Sequence, residues 1–115
     1  MSELETQVLK MLKEVFPKYR VTEQYSVYYM GTQLFFDFYI QALNVLIECQ
    51  GEQHYKFVPH FHGVQTEFKG SEKRDQLKRE WAKQENISLL EIKFDEMPKT
   101  SKELFNMIHE AIFGG

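Results

Sequence analysis

Apolar residues fall along this chain in two different periods, and the switches between them mark out its elements. Leu4, Val8 and Leu12, with Val15 and Phe16, recur at helical spacing behind a capping box of Ser2 and Glu5, and Pro17 closes that helix. From Val21 to Met30 the pattern alternates and is rich in β-formers, and Gly31-Thr32 makes a turn. A second strand spans Leu34 to Ile40, a short turn falls at Ala42–Asn44, and a third strand covers Val45 to Cys49 before Gly51. Residues 55 to 70 read as loop, with Pro59, Gly63 and Gly70 as punctuation. Ser71 is positioned to cap a charged helix reaching about Glu85, with Leu77, Trp81 and Ala82 inward. Ile87 to Phe94 is an apolar strand. Pro98 and Thr100 open a last helix with Leu104, Ile108 and Ile112 inward, ending at Gly114. The order α-β-β-β-α-β-α implies an α/β sandwich: a mixed sheet whose first three strands form a meander and whose fourth is reached through a helix.

Composition narrows the class. A chain of 115 residues, 43% of them hydrophobic, fits a single domain over 1–115 with its own core. Most of the ten Phe and six Tyr belong to that core, although adjacent Tyr28 and Tyr29 must point to opposite sheet faces, leaving one exposed. A lone cysteine, Cys49, forbids an internal disulfide and a thiolate zinc cluster, which fits a reducing compartment. No apolar run suits a bilayer and the amino terminus is acidic, so the expected location is cytoplasmic. A net charge of −3 runs against an ordinary nucleic-acid binder. Lys69, Lys73, Arg74, Lys78, Arg79 and Lys83 are, however, gathered in one short segment.

The segment LFFDFYIQALNVLIECQGEQHY, residues 34 to 55, carries the chemistry. Asp37 interrupts one apolar strand and Glu48 closes the next. Burying an ion without a partner is costly, so each carboxylate needs something to bind. In a hairpin about Ala42–Asn44 the two acids meet across the ladder, where they repel unless a cation lies between them. Hard divalent ions favour such an oxygen pair, completed by water and phosphate. Either acid alone is explained by a basic partner or a strand end; their joint placement points to a metal.

An acid on one strand, ten residues, then Glu-x-Gln at the end of an apolar strand resembles the PD-(D/E)XK nuclease signature. With Gly51, His54 and the Asp75-x-x-Lys78 pair, it is similar to the branch that includes the very-short-patch-repair endonucleases and the EDxHD homing endonucleases of phages. The resemblance covers Glu5 to about Phe94. It implies a restriction-endonuclease-like fold with a central mixed sheet flanked by helices, and a Mg²⁺- or Mn²⁺-dependent endonuclease acting on nucleic acid, DNA first. It implies Asp37 and Glu48 as metal ligands, with the backbone carbonyl of Cys49 as a further donor. Gln50 stands where the superfamily has Lys; it can hydrogen-bond but brings no charge and no base. His54, which titrates near neutrality, is the natural proton carrier. Glu5 and Asp75 match acids that reach the site from flanking helices in that branch. Lys78, Arg74 and Arg79 are candidate phosphate contacts. His60 and His62 read as loop residues near substrate, not as zinc ligands. Family precedent also allows a homodimer or a larger catalytic assembly. The alternative is a catalytically inactive nucleic-acid-binding or protein-interaction module on the same fold.

Overall fold

The computed structural model describes residues 1–51 and 64–114, the stretch 64–69 by its backbone alone. Helix α1 (Glu3–Val15) starts where expected: the Ser2 hydroxyl accepts the Glu5 backbone N–H, and Val8 and Leu12 are completely buried. Strands β1 (Thr22–Tyr29) and β2 (Thr32–Ile40) form an antiparallel hairpin. Its turn is Met30-Gly31, one residue earlier than the sequence suggested; both have positive φ, +51° and +75°, as a two-residue hairpin turn with right-handed strand twist requires.

A helical turn at Gln41–Leu43, closed by Asn44 in the left-handed region (φ +52°), leads into β3 (Val45–Gln50). Helix α2 (Val64–Gln84) carries the chain to β4 (Ser88–Lys93), which pairs parallel to β3. Helix α3 (Ser101–Phe113), capped by Thr100, ends the described fold. The sheet order is β1-β2-β3-β4, and the expected α-β-β-β-α-β-α succession is observed.

Helix α2 differs from expectation at its start. It begins at Val64, so residues 64 to 70, read as loop, are helical, and Ser71 lies inside the helix instead of capping it. Gly70 weakens a helix by only about 1 kcal/mol and does not end one. The remainder of that expected loop, with His60 and His62, lies outside the described residues, as does His54 before it.

Two clusters cover the two faces of the sheet. On one, Phe38, Ile40, Val45, Ile47 and Ile92 meet α1 and α3 through Val8, Leu12, Leu104 and Ile108. On the other, Leu34, Phe36 and Leu46 meet Trp81 and Ala82 of α2. Phe36 and Phe38 are two apart on one strand, yet they belong to opposite faces. The side-chain phase therefore slips between them, at Asp37. Its neighbour across the hairpin, Gln24, slips too. It has φ +51°, and the Gln24–Asp37 step is absent from an otherwise continuous register. The hairpin bends at Asp37.

Candidate metal centre

Central strand β3 positions Glu48. Paired antiparallel to β2 on one side and parallel to β4 on the other, it is buried along nearly its whole length. Glu48 and Gln50 are its buried polar residues, 6% and 4% exposed. The β2–β3 ladder runs through Ile40–Val45, Tyr39–Leu46 and Phe38–Ile47 and stops. One more step would set Asp37 opposite Glu48. There the strands part, and side chains replace the missing backbone bonds.

The replacement is reciprocal. The Asp37 backbone N–H donates to Glu48 Oε1 at 2.8 Å, and the Cys49 backbone N–H donates to Asp37 Oδ2 at 2.7 Å. Each carboxylate thus holds the other's strand, and the two acids are brought together at the mouth of the parting strands. Their second oxygens face other partners: Gln24 Nε2 reaches Asp37 Oδ1 at 3.4 Å, and Lys78 Nζ lies 2.7 Å from Glu48 Oε2. Bonds as short as the last, between ionised groups, are the strong kind. Asp37 is half-buried and Glu48 nearly enclosed.

Burial raises the Glu48 carboxyl from 4.5 to about 7, with Lys78 pulling it down and Asp37 pushing it further up. The Cys49 thiol is driven well above its ordinary value by burial, then by the charges of Asp37, Glu5 and Glu48. It is inert at neutral pH. Glu5 is half-buried in the first turn of α1 and lines with Cys49 and Gly51 a hollow of ≈ 370 Å³ at the ends of β3 and β4.

Other expected residues are placed differently. The Gln50 side-chain nitrogen donates to Glu91 Oε1 at 2.9 Å, on the neighbouring strand. Arg79 also holds Glu91, its Nε 2.9 Å and 3.2 Å from the two carboxylate oxygens. Of the three basic residues expected to meet phosphate, two are engaged with acids of the sheet, and Arg74 is exposed on α2. Asp75 is half-buried one turn before Lys78 on the same helix. His54 lies outside the described residues.

Three participants were not expected from the sequence: Gln24, Glu91, and Lys78 as a partner of Glu48 instead of a phosphate. Glu91 interrupts an apolar strand in the manner of Asp37, a signal that could have marked it. Gln24 offers no such signal, since an exposed polar residue in a strand does not reveal the positive φ that accompanies its side-chain contact with Asp37.

Among the described residues, no group of three or more His, Cys, Asp or Glu side chains gathers around a point that could hold an ion. The donors on hand are two carboxylates. That set suits Mg²⁺, which keeps several waters and takes one or two protein carboxylates. The Lys78 ammonium already supplies one positive charge to Glu48.

No protein-family profile matches the chain, and no solved structure matches it. Among curated proteins, a stretch of 76 residues, 66% of the chain, is 39% identical to "Uncharacterized protein 307L" of Invertebrate iridescent virus 6. The matched stretch spans about a third of that viral protein, 36% of its length.

Proposed function

We propose that this chain is a metal-dependent endonuclease of the restriction-endonuclease-like kind, hydrolysing nucleic-acid phosphodiesters, DNA first. One observation carries the proposal: Asp37 and Glu48 cap each other's strands at 2.8 and 2.7 Å where β2 and β3 part. A carboxylate pair fixed by backbone N–H groups is preorganised, so little ordering cost remains when a cation arrives.

A bound Mg²⁺ would polarise the scissile phosphate and acidify an attacking water. Asp37 and Glu48 would hold it, with the Cys49 carbonyl as a third oxygen. Glu5, which shares the hollow with Cys49, adds negative charge on the α1 side of the site. His54 is proposed as the proton carrier, with Gln50 and Asp75 in supporting positions.

Cleavage of supercoiled and branched DNA, with and without Mg²⁺, tests this directly. Asp37→Asn is the variant of choice, because its amide oxygen still accepts the Cys49 N–H and preserves the strand junction. The protein should nick DNA only with the ion, and the variant should lose at least about a hundredfold in rate while staying folded. Cleavage by Asp37→Asn at the native rate rejects the site.

The second reading, a module on the same fold without catalysis, has its own support: Gln50 supplies no charge, and Lys78 already neutralises Glu48. It predicts no nicking under any ion.

A further inference from the structure

Glu48 has two oxygens, and they have different fates. Oε1 is spent on the Asp37 N–H, at the junction that holds β2 to β3. Oε2 is the oxygen turned toward α2, and Lys78 Nζ sits on it at 2.7 Å. Oε1 already accepts one hydrogen bond, so an ion bridging the two acids with least disturbance of the strand junction would take Oε2, the atom that the ammonium now holds.

The approach of Lys78 is guided. Its side chain is 15% exposed, and its ammonium lies 5.7 Å from the centroid of the Phe36 ring, one residue before Asp37. The stem crosses an aromatic face, while the charge reaches the acid. Two other polar groups that could have supplied charge or hydrogen bonds here, Gln50 and Arg79, both bond Glu91.

We propose that Lys78 is the exchangeable cation of this site. It holds Glu48 Oε2 in the absence of metal, yields that oxygen to a divalent ion, and then presents its ammonium to the substrate phosphate. The inference rests on the nuclease reading above. Lysine suits this exchange because a flexible stem can swing the charge a few ångströms while α2 stays in place. A competing cation weakens the ion's hold, and its removal strengthens it.

The test uses the full chain and Mg²⁺ alone, titrated calorimetrically into the native protein, Lys78→Met and Lys78→Arg over about pH 8 to 9.5, and compares affinities where each has stopped changing with pH, because loss of the Lys78 charge moves the Glu48 transition upward. Lys78→Met should bind Mg²⁺ about tenfold more tightly than the native protein. It should also cleave DNA with kcat reduced about a hundredfold at saturating Mg²⁺ and little change in KM. Lys78→Arg keeps the charge and should return both quantities most of the way to native values. Equal Mg²⁺ affinity in the native protein and Lys78→Met, or an unchanged kcat in that variant, overturns the assignment while leaving the nuclease reading standing. No Mg²⁺ binding by any of the three proteins overturns both.

Discussion

Glu48 is the residue under most tension. Its carboxyl is lifted from 4.5 to about 7, chiefly by burial, so the ionised form is less comfortable in the fold than in the unfolded chain. The neutral form's contribution to stability is complete below about pH 4.5 and is lost as the pH rises through about 7. A rise of that size is on the order of 3 kcal/mol. Glu48→Gln keeps an acceptor for the Asp37 N–H and never ionises. Urea unfolding should therefore find it more stable than the native protein near pH 8, by up to about 3 kcal/mol, with the gap closing near pH 4. A variant less stable at both pH values would contradict the assignment of cause. Under the proposed nuclease activity the same substitution should abolish cleavage, which would separate what Glu48 does for the fold from its proposed part in the reaction. Asp37 has the opposite structural duty. Asp37→Ala strands the buried-side Cys49 N–H and should cost about 1–3 kcal/mol, whereas Asp37→Asn should cost less.

At the level of elements, the bent hairpin sets the site's geometry. Beyond Asp37 the β1–β2 arm turns its other face toward α2, where Phe36 and Tyr25 lie 5.6 Å and 6.5 Å from Trp81, centroid to centroid. The arm and α2 therefore lean on one indole, and α2 in turn delivers Lys78. Trp81→Ala should cost about 3–5 kcal/mol in chemical unfolding. A loss below about 1 kcal/mol would show that the arm is held by something else. The bend itself needs Gln24 at φ +51°, which an L side chain adopts at a cost of roughly 1–2 kcal/mol. Gln24→Gly should raise thermal stability and Gln24→Val should lower it.

This bend was not legible in the sequence, for a definite reason. The run Leu34-Phe35-Phe36-Asp37-Phe38-Tyr39-Ile40 is apolar at both odd and even positions, so either side-chain phase satisfies it and a slip leaves no trace. Elements whose pattern was one-sided were readable: the capped α1, the Thr100-capped α3, and the central β3 with its unbroken apolar run. The start of α2 was misplaced because Gly70-Ser71 imitates a helix boundary that the fold does not use. The ladder stops one step short of Asp37 and Glu48 and the bonds that join them there were not legible, but that the two acids lie near each other followed from hairpin register. Lys78 on Glu48 did not, because a contact between a helix and a strand 30 residues apart is set by packing.

For the whole molecule, the mixed four-stranded sheet with α1 and α3 on one face and α2 on the other makes both faces core and leaves the mouth between β2 and β3 as the place where the proposed chemistry would occur. Among the described residues, no helix is long and apolar enough to cross a membrane. An ion that binds the folded state alone stabilises it by mass action. If the ion binds at the proposed site, Mg²⁺ should raise the melting temperature, more at pH 8 than at pH 6, because it would need Glu48 ionised and the proton would compete with it below about 7. An equal rise at both pH values would place the ion elsewhere.

The convergence of two strand carboxylates on one divalent ion is tested most directly by a crystal structure grown with Mn²⁺ and read by its anomalous signal. A single strong peak is expected between Asp37 and Glu48, about 2.0–2.6 Å from an oxygen of each, and absent from Asp37→Asn crystals. Well-ordered density for both acids with no peak between them, under saturating Mn²⁺, would contradict the account.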